Sequence, residues 1–346
     1  MSLLVRGVLL ATSLVFSSAL VASEHCEEVN GIVSICNLQS PEDLVLTSRG
    51  NILFGEMVEG RGISLLDVKS LLVTPLYQSR GQVSETGWGS PDCIDGPGAE
   101  VLIHGLDLLR RRDGRWQLLA VNHGGRESVE FFEFLPGIDP QLHWRGCVIA
   151  PDDASFNDVA ALPEGGFLVS RMYSRGSSTG LLRALLGMDT GYVYRWTTET
   201  GFTALPGTEA PFPNGIVVSA DGKSFFMNAW GGSEVRKYSL PESKLLAVAQ
   251  IPSPDNSNWA SDGRLLVASH HYGWSNLLSG LPNDDGSPVK MPFAIVAINP
   301  QTMTSETLVE LEGPPMGAGT AAVEVDGYLF IGSFTGDRII RVPLAN

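Results

Sequence analysis

The chain has 346 residues, 43% of them hydrophobic and 18% charged, a globular composition at a length that buries a full core without staples. Lysine plus arginine number 23 against 38 acidic residues, a net charge of −15, which argues against a nucleic-acid partner because phosphate binding needs basic patches. The acidity leaves two readings open, a soluble exported surface or carboxylates that hold cations.

Residues 1–23 carry a single cation, Arg6, then an apolar run with small residues at Val21 and Ser23. This pattern predicts a secretory signal peptide cleaved after Ala22 or Ser23. No later apolar run reaches the roughly 18 to 20 residues that a membrane span needs, so residues 24–346 are expected as one exported domain. Cys26, Cys36, Cys93 and Cys147 follow. An even count in an exported chain, with no C-x-x-C pair, favours disulfides over metal ligation. Three pairings are possible, and the one expected is Cys26–Cys36 with Cys93–Cys147, because the first closes a short loop ahead of the fold.

Along the chain a polar residue and a glycine repeatedly precede a short β-branched or aromatic run. The turn glycines are Gly50, Gly114, Gly165, Gly222, Gly263 and Gly327. Each reads as a tight hairpin turn, with glycine supplying positive φ, flanked by strands. Further strands follow most of the turns, as in residues 234–239, so that each unit amounts to four strands. The helical signal is poor, its best stretch being residues 178–187. Six hairpins at irregular intervals of 41 to 64 residues predict an all-β, six-bladed β-propeller that uses the whole mature chain.

If the hairpins share a register, a fixed step back from each turn glycine reaches the strand nearest the central channel. Eight residues back lie Glu42, Leu106, Asn157, Asn214, Asp255 and Gly319. Four of these carry side-chain oxygens, and Asp43, Asp158 and Asn256 follow three of them. Carboxylates and amide carbonyls converging from different blades suit calcium, which takes six to eight oxygens. Glu42, Asp43, Asp158 and Asp255 together match the charge of two such ions. A polar, water-filled channel is the alternative, since Asn and Asp are also ordinary turn residues. Zinc is disfavoured by the absence of thiolate or tetrahedral histidine spacing.

The segments Ser40-Pro-Glu-Asp-Leu44, His104-Gly-Leu106, Leu119-Ala-Val-Asn-His123, Asn157-Asp-Val159, Pro213-Asn-Gly-Ile216, Asp255-Asn256 with His270, and Gly319-Thr-Ala-Ala322 run in order along the chain. As an ordered set they resemble the paraoxonase/arylesterase family of six-bladed propellers, and more distantly the gluconolactonase and strictosidine-synthase-like propellers. The resemblance implies a catalytic calcium held by Glu42, Asn157, Asn214, Asp255 and Asn256. It also implies a structural calcium held by Asp43, Asp158 and the backbone carbonyl of Leu106, and a proton-carrying pair, His104 and His123. Two features depart from the family. Its disulfide from the counterpart of Cys36 to the last strand has no partner here, because residues 339–344 contain no cysteine. The segment 172–194, which shapes the lid in the family, is too dissimilar to transfer a substrate.

The expected function is therefore a calcium-dependent hydrolase of lactones or aryl esters. The ion polarises the carbonyl, and His104, relayed by His123, takes the proton of the attacking water; Asp255 is the competing base or nucleophile. No Gly-x-Ser-x-Gly elbow is present. The alternatives are a gluconolactonase-like sugar-lactone hydrolase and a non-catalytic exported propeller that binds a ligand and keeps calcium for structure. Leucines and a tryptophan in residues 181–185 and 274–278 lean toward an apolar small-molecule substrate.

Overall fold

Each of the six turn glycines joins the first two strands of a four-stranded antiparallel sheet. The computed structural model describes residues 28–78, 87–151, 153–271 and 291–344. The signal-peptide segment, Cys26 and the stretch 274–278 lie outside these residues. After β1 (Val33–Ile35), the first blade comprises β2 (Pro41–Leu46), β3 (Ile52–Glu56), β4 (Ile63–Leu66) and β5 (Val73–Tyr77). The second holds β6 (Ile103–Arg110), β7 (Trp116–Asn122), β8 (Ser128–Leu135) and β9 (Gln141–Ile149), and the third β10 (Ala154–Ala161), β11 (Phe167–Ser174), β12 (Tyr192–Thr197) and β13 (Gly201–Ala204). A short helix, α1 (Gly180–Leu185), interrupts the third. Blade 4 runs through β14 (Pro213–Val218), β15 (Ser224–Ala229), β16 (Glu234–Ser239) and β17 (Leu245–Gln250). Blade 5 has β18 (Pro254–Trp259), β19 (Leu265–His270), β20 (Phe293–Ile298) and β21 (Ser305–Leu311). Blade 6 has β22 (Gly319–Val325), β23 (Tyr328–Ser333) and β24 (Ile339–Pro343), and its outer place is filled by β1.

The fold is thus a six-bladed β-propeller. β1 closes the ring by pairing with β24, Val33 opposite Arg341 and Ile35 opposite Ile339, so closure is by ladder hydrogen bonds. The expected Cys93–Cys147 disulfide is present, with the two Cα atoms 5.5 Å apart. It ties the segment between blades 1 and 2 to β9. Cys36 is disulfide-bonded as well. No helix among the described residues is long and apolar enough to cross a membrane.

The turns form for a local reason. All six glycines sit at positive φ, between 68° and 114°, a region that side chains resist. The Asp326-Gly327 turn has both residues at positive φ, 51° and 80°, the two-residue hairpin geometry that matches strand twist.

The apolar core lies in six main wedges, each straddling one seam between neighbouring blades. Val45, Leu53 and Ile63 of blade 1 pack on Leu118 and Phe132 of blade 2, and Phe131 of blade 2 meets Phe167 and Trp196 of blade 3. The last seam packs Val323 and Phe330 against Leu44 and Phe54. With the oil placed between the blades, the axis is left to polar side chains.

Candidate functional site

In every blade the innermost strand is bulged at the same level. Register with the second strand jumps from Pro41 to Leu44, Ile103 to Leu106, Pro213 to Ile216 and Pro254 to Ser257, with matching shifts between Phe156 and Val159 and between Gly319 and Ala321. A bulge sets two residues against one, which breaks strict alternation and re-aims both. The paired residues are Glu42/Asp43, His104/Gly105, Asn157/Asp158, Asn214/Gly215 and Asp255/Asn256. This is why the oxygen-bearing residues of the sequence come as neighbours. In blade 2 the register partner of Glu42 is His104. The eight-residue step reaches Leu106 instead because the β6–β7 hairpin is longer.

Glu42, Asn157, Asn214 and Asp255 line the floor of a cavity of about 560 Å³, together with His104, His123, Glu127 and His270. All five residues expected to hold the catalytic ion are buried, none more than 5% exposed. Asn256 Nδ2 donates to Glu42 Oε1 at 2.7 Å, and Asn157 Nδ2 donates to the sulfur of Met172 at 3.3 Å. Each amide thereby turns its oxygen free. Glu42 Oε2, Asn157 Oδ1, Asn214 Oδ1 and Asn256 Oδ1 are buried acceptors with no donor, and an unsatisfied buried polar group costs about 1–3 kcal/mol. Burial, and next the carboxylate of Glu42, push the pKa of Asp255 well above the usual range. Four unpartnered oxygens around a crowded carboxylate are the donor chemistry of a hard cation. Among the described residues no group of three or more His, Cys, Asp or Glu could hold a metal; this set differs in drawing three of its five members from asparagine.

Asp43 and Asp158 lie one residue further along each bulge. Asp43 accepts the amides of Leu44 at 2.8 Å and Leu106 at 2.7 Å, and Asp158 those of Val159 and Ile216, both at 2.7 Å. The group of Leu106 bonded to Asp43 is its N–H. These bonds stitch blade 1 to 2 and blade 3 to 4. Burial first, then the neighbouring acids Glu42 and Asp43 respectively, raise both pKa values well above normal.

His104 Nδ1 lies 2.9 Å from His123 Nε2. His104 Nε2 faces Glu42 Oε1 at 3.6 Å. His123 Nδ1 lies 2.9 Å from Glu127 Oε2, a residue the sequence reading missed. Its only sequence signal is an acid four residues beyond His123, across Gly124 and Gly125. His270 also joins the floor. Its Nε2 donates to the carbonyl of Gly319 at 3.0 Å and its Nδ1 accepts the Trp230 indole N–H at 3.2 Å. Burial pushes its pKa down to about 4, so the ring is neutral, with Nδ1 3.4 Å from Asp255 Oδ2.

Above this polar floor the walls are mainly apolar, with Met57, Met172, Phe212, Trp230, Met291 and Phe334 beside Ser155 and Tyr173. Leu181 of α1 completes one side. The helix is held down by close backbone packing, since a Cβ on Gly231 would come within 2.5 Å of the Ala184 carbonyl.

No protein-family model and no curated protein matches the sequence. Solved structures match the fold. A gluconolactonase from Xanthomonas campestris aligns with TM-score 0.53 at 13% identity, covering 91% of this chain and 89% of that one. A luciferin-regenerating enzyme aligns with TM-score 0.55 at 14% identity over 90% and 94%. Regucalcin, a calcium-binding protein from Agrobacterium tumefaciens, aligns with TM-score 0.50 at 13% identity over 89% and 91%. At these identities the likeness is one of fold, and the propeller hosts many chemistries.

Proposed function

We propose that this protein is a calcium-dependent hydrolase of lipophilic lactones or aryl esters. The observation that carries the reading is the juxtaposition, at one cavity floor, of four donorless buried oxygens with the His104–His123 pair. Calcium held by Glu42, Asn157, Asn214, Asp255 and Asn256 would polarise the substrate carbonyl and hold the developing oxyanion. His104 faces that floor through Nε2 and takes the proton of the attacking water, and His123 shares the charge. Asp255 is the weaker candidate base, because its carboxylate already bonds Asn214 and belongs to the set that would hold the ion. Asp43, Asp158 and the backbone carbonyl of Leu106 would hold a second, structural calcium.

The gluconolactonase among the fold neighbours supports lactone chemistry in general. The wall chemistry favours an apolar substrate over a sugar lactone, whose hydroxyls need partners that methionine, phenylalanine and tryptophan do not provide. Export by a cleaved N-terminal signal agrees with the disulfides, which persist in oxidising compartments.

The test is hydrolysis of phenyl acetate, an aliphatic lactone and a sugar lactone by the purified protein with calcium and after chelation. Loss of turnover on chelation, with the aliphatic lactone preferred over the sugar lactone, is the expected result. If none of the three turns over while calcium still raises the melting temperature, the protein is a calcium-stabilised binding propeller.

A further inference from the structure

We propose that Glu127 is a positioning residue that fixes the tautomers of both histidines, so that a bare ring nitrogen of His104 faces the cavity floor. Its catalytic consequence rests on the hydrolase reading, whereas the tautomers follow from the hydrogen-bond geometry of a carboxylate and two neutral rings.

Glu127 is 6% exposed, on the turn between β7 and β8, and its carboxylate crosses the seam into blade 3. There Oε1 accepts the main-chain N–H of Phe156 at 2.6 Å, and Oε2 is left for His123 Nδ1 at 2.9 Å. An ionised carboxylate only accepts, so Nδ1 of His123 carries the proton. A neutral imidazole has one N–H, which leaves Nε2 of His123 as an acceptor. Its neighbour at 2.9 Å, His104 Nδ1, must then donate. In that neutral pair His104 Nε2 is unprotonated, and it is the atom that faces Glu42 Oε1 at 3.6 Å.

In the proposed reaction the water O–H bond breaks, its oxygen bonds to the acyl carbon, and its proton goes to His104 Nε2. The Nδ1 proton of His104 can pass to His123 Nε2, which brings the positive charge beside Glu127. When the ester C–O bond breaks, the proton returns to the leaving alkoxide and the resting tautomers are restored. The anchor of the path, Phe156, directly precedes Asn157, so the relay and the oxygen set share one strand.

The arrangement makes an inverted prediction for substitution. In Glu127→Gln the Phe156 N–H still requires an acceptor and keeps the amide oxygen, so the amide NH₂ points at His123 Nδ1. Both tautomers reverse, and His104 Nε2 becomes protonated. Glu127→Ala removes the constraint and lets both tautomers form. The isosteric variant should therefore be the more damaged, with kcat lowered roughly 10²–10⁴-fold, as for a wrongly held catalytic imidazole, and KM unchanged. A merely structural role predicts the opposite order.

The tautomers are read directly from long-range ¹H–¹⁵N spectra of histidine-labelled full-length protein at one pH. The chain has six histidines, and His104→Gln and His123→Gln spectra assign the two rings. The wild type should show protonated Nδ1 and bare Nε2 in both, and Glu127→Gln the reverse, with melting curves confirming that each variant is folded. Unreversed tautomers in folded Glu127→Gln, or a kcat closer to wild type than that of Glu127→Ala, would overturn the proposal. Should the wild type hydrolyse no lactone or ester, the hydrolase reading falls, and the spectra still decide for or against Glu127.

Discussion

Glu42 is 1% exposed, bonded to Asn256 through one oxygen and lacking a donor on the other. Its side chain therefore costs stability until a cation arrives, and neutralising it should relieve the repulsion that raises Asp255. Glu42→Gln is expected to melt higher than the wild type in chelator and to lose the calcium-induced rise, both read from thermal melts with and without the ion. His104→Gln should keep the calcium response and lose roughly 10²–10⁴-fold in kcat, measured on the ester that the wild type turns over best. At this scale legibility was uneven. Glu42, Asn157, Asn214 and Asp255 could be found by counting from a glycine, because the hairpins between are of equal length. His104 falls out of that count through its longer hairpin, and Glu127 has no periodic signal, since its partners Phe156 and His123 belong to different blades.

Two glycines in the bulges show what the inner strands demand of one another. A Cβ on Gly105 would lie 2.5 Å from the Asp158 Cα and 2.7 Å from the Asn157 carbonyl, and one on Gly215 2.5 Å from the Asp255 carbonyl. Blades 1 and 3 reach across their seams with aspartate, whereas blades 2 and 4 let the next strand approach by having no side chain. Asp107 takes over the tie in blade 2, accepting the Ala161 amide at 2.7 Å, and Asn228 bonds the Asp255 carbonyl in blade 4. Gly105→Ala should therefore destabilise by about 1–3 kcal/mol or more, as overpacking does, and displace Asn157. Urea unfolding and calcium affinity check the two parts. Alternation alone would have sent Glu42 and Asp43 to opposite faces. The bulge that prevents this is a property of paired strands, invisible in either strand alone.

The whole ring confines several buried acids to its axis. The pKa values of Asp43, Asp158 and Asp255 all lie above their usual range, chiefly through burial. Above the unfolded value, the folded chain without cation then binds more protons than the unfolded chain. Its stability is full below the unfolded value of about 3.9 and falls as pH rises through the raised folded values. In chelator the melting temperature should drop as pH rises above the unfolded carboxylate value, and saturating calcium should flatten that slope, as a pH series of calorimetric scans would show. The Cys93–Cys147 bridge spans a sequence separation of 54 residues, for which chain entropy allows about 4 kcal/mol. A Cys93→Ser/Cys147→Ser protein should unfold at lower denaturant by up to that amount and keep the axial site, because the bridge lies on β9, at the outer edge of blade 2.

Sequence by itself determined the blades and the kind of atom at the axis. Glycine turns need positive φ, strands need β-branched and aromatic runs, and oxygen-bearing residues recur at one offset, all of which are local properties of the chain. Tertiary structure decided which of those residues are left without donors, which nitrogen of His104 faces the cavity, and how the ring closes through β1 and β24. Each of these depends on hydrogen bonds between residues of different blades, where distance along the chain carries no information about distance in space.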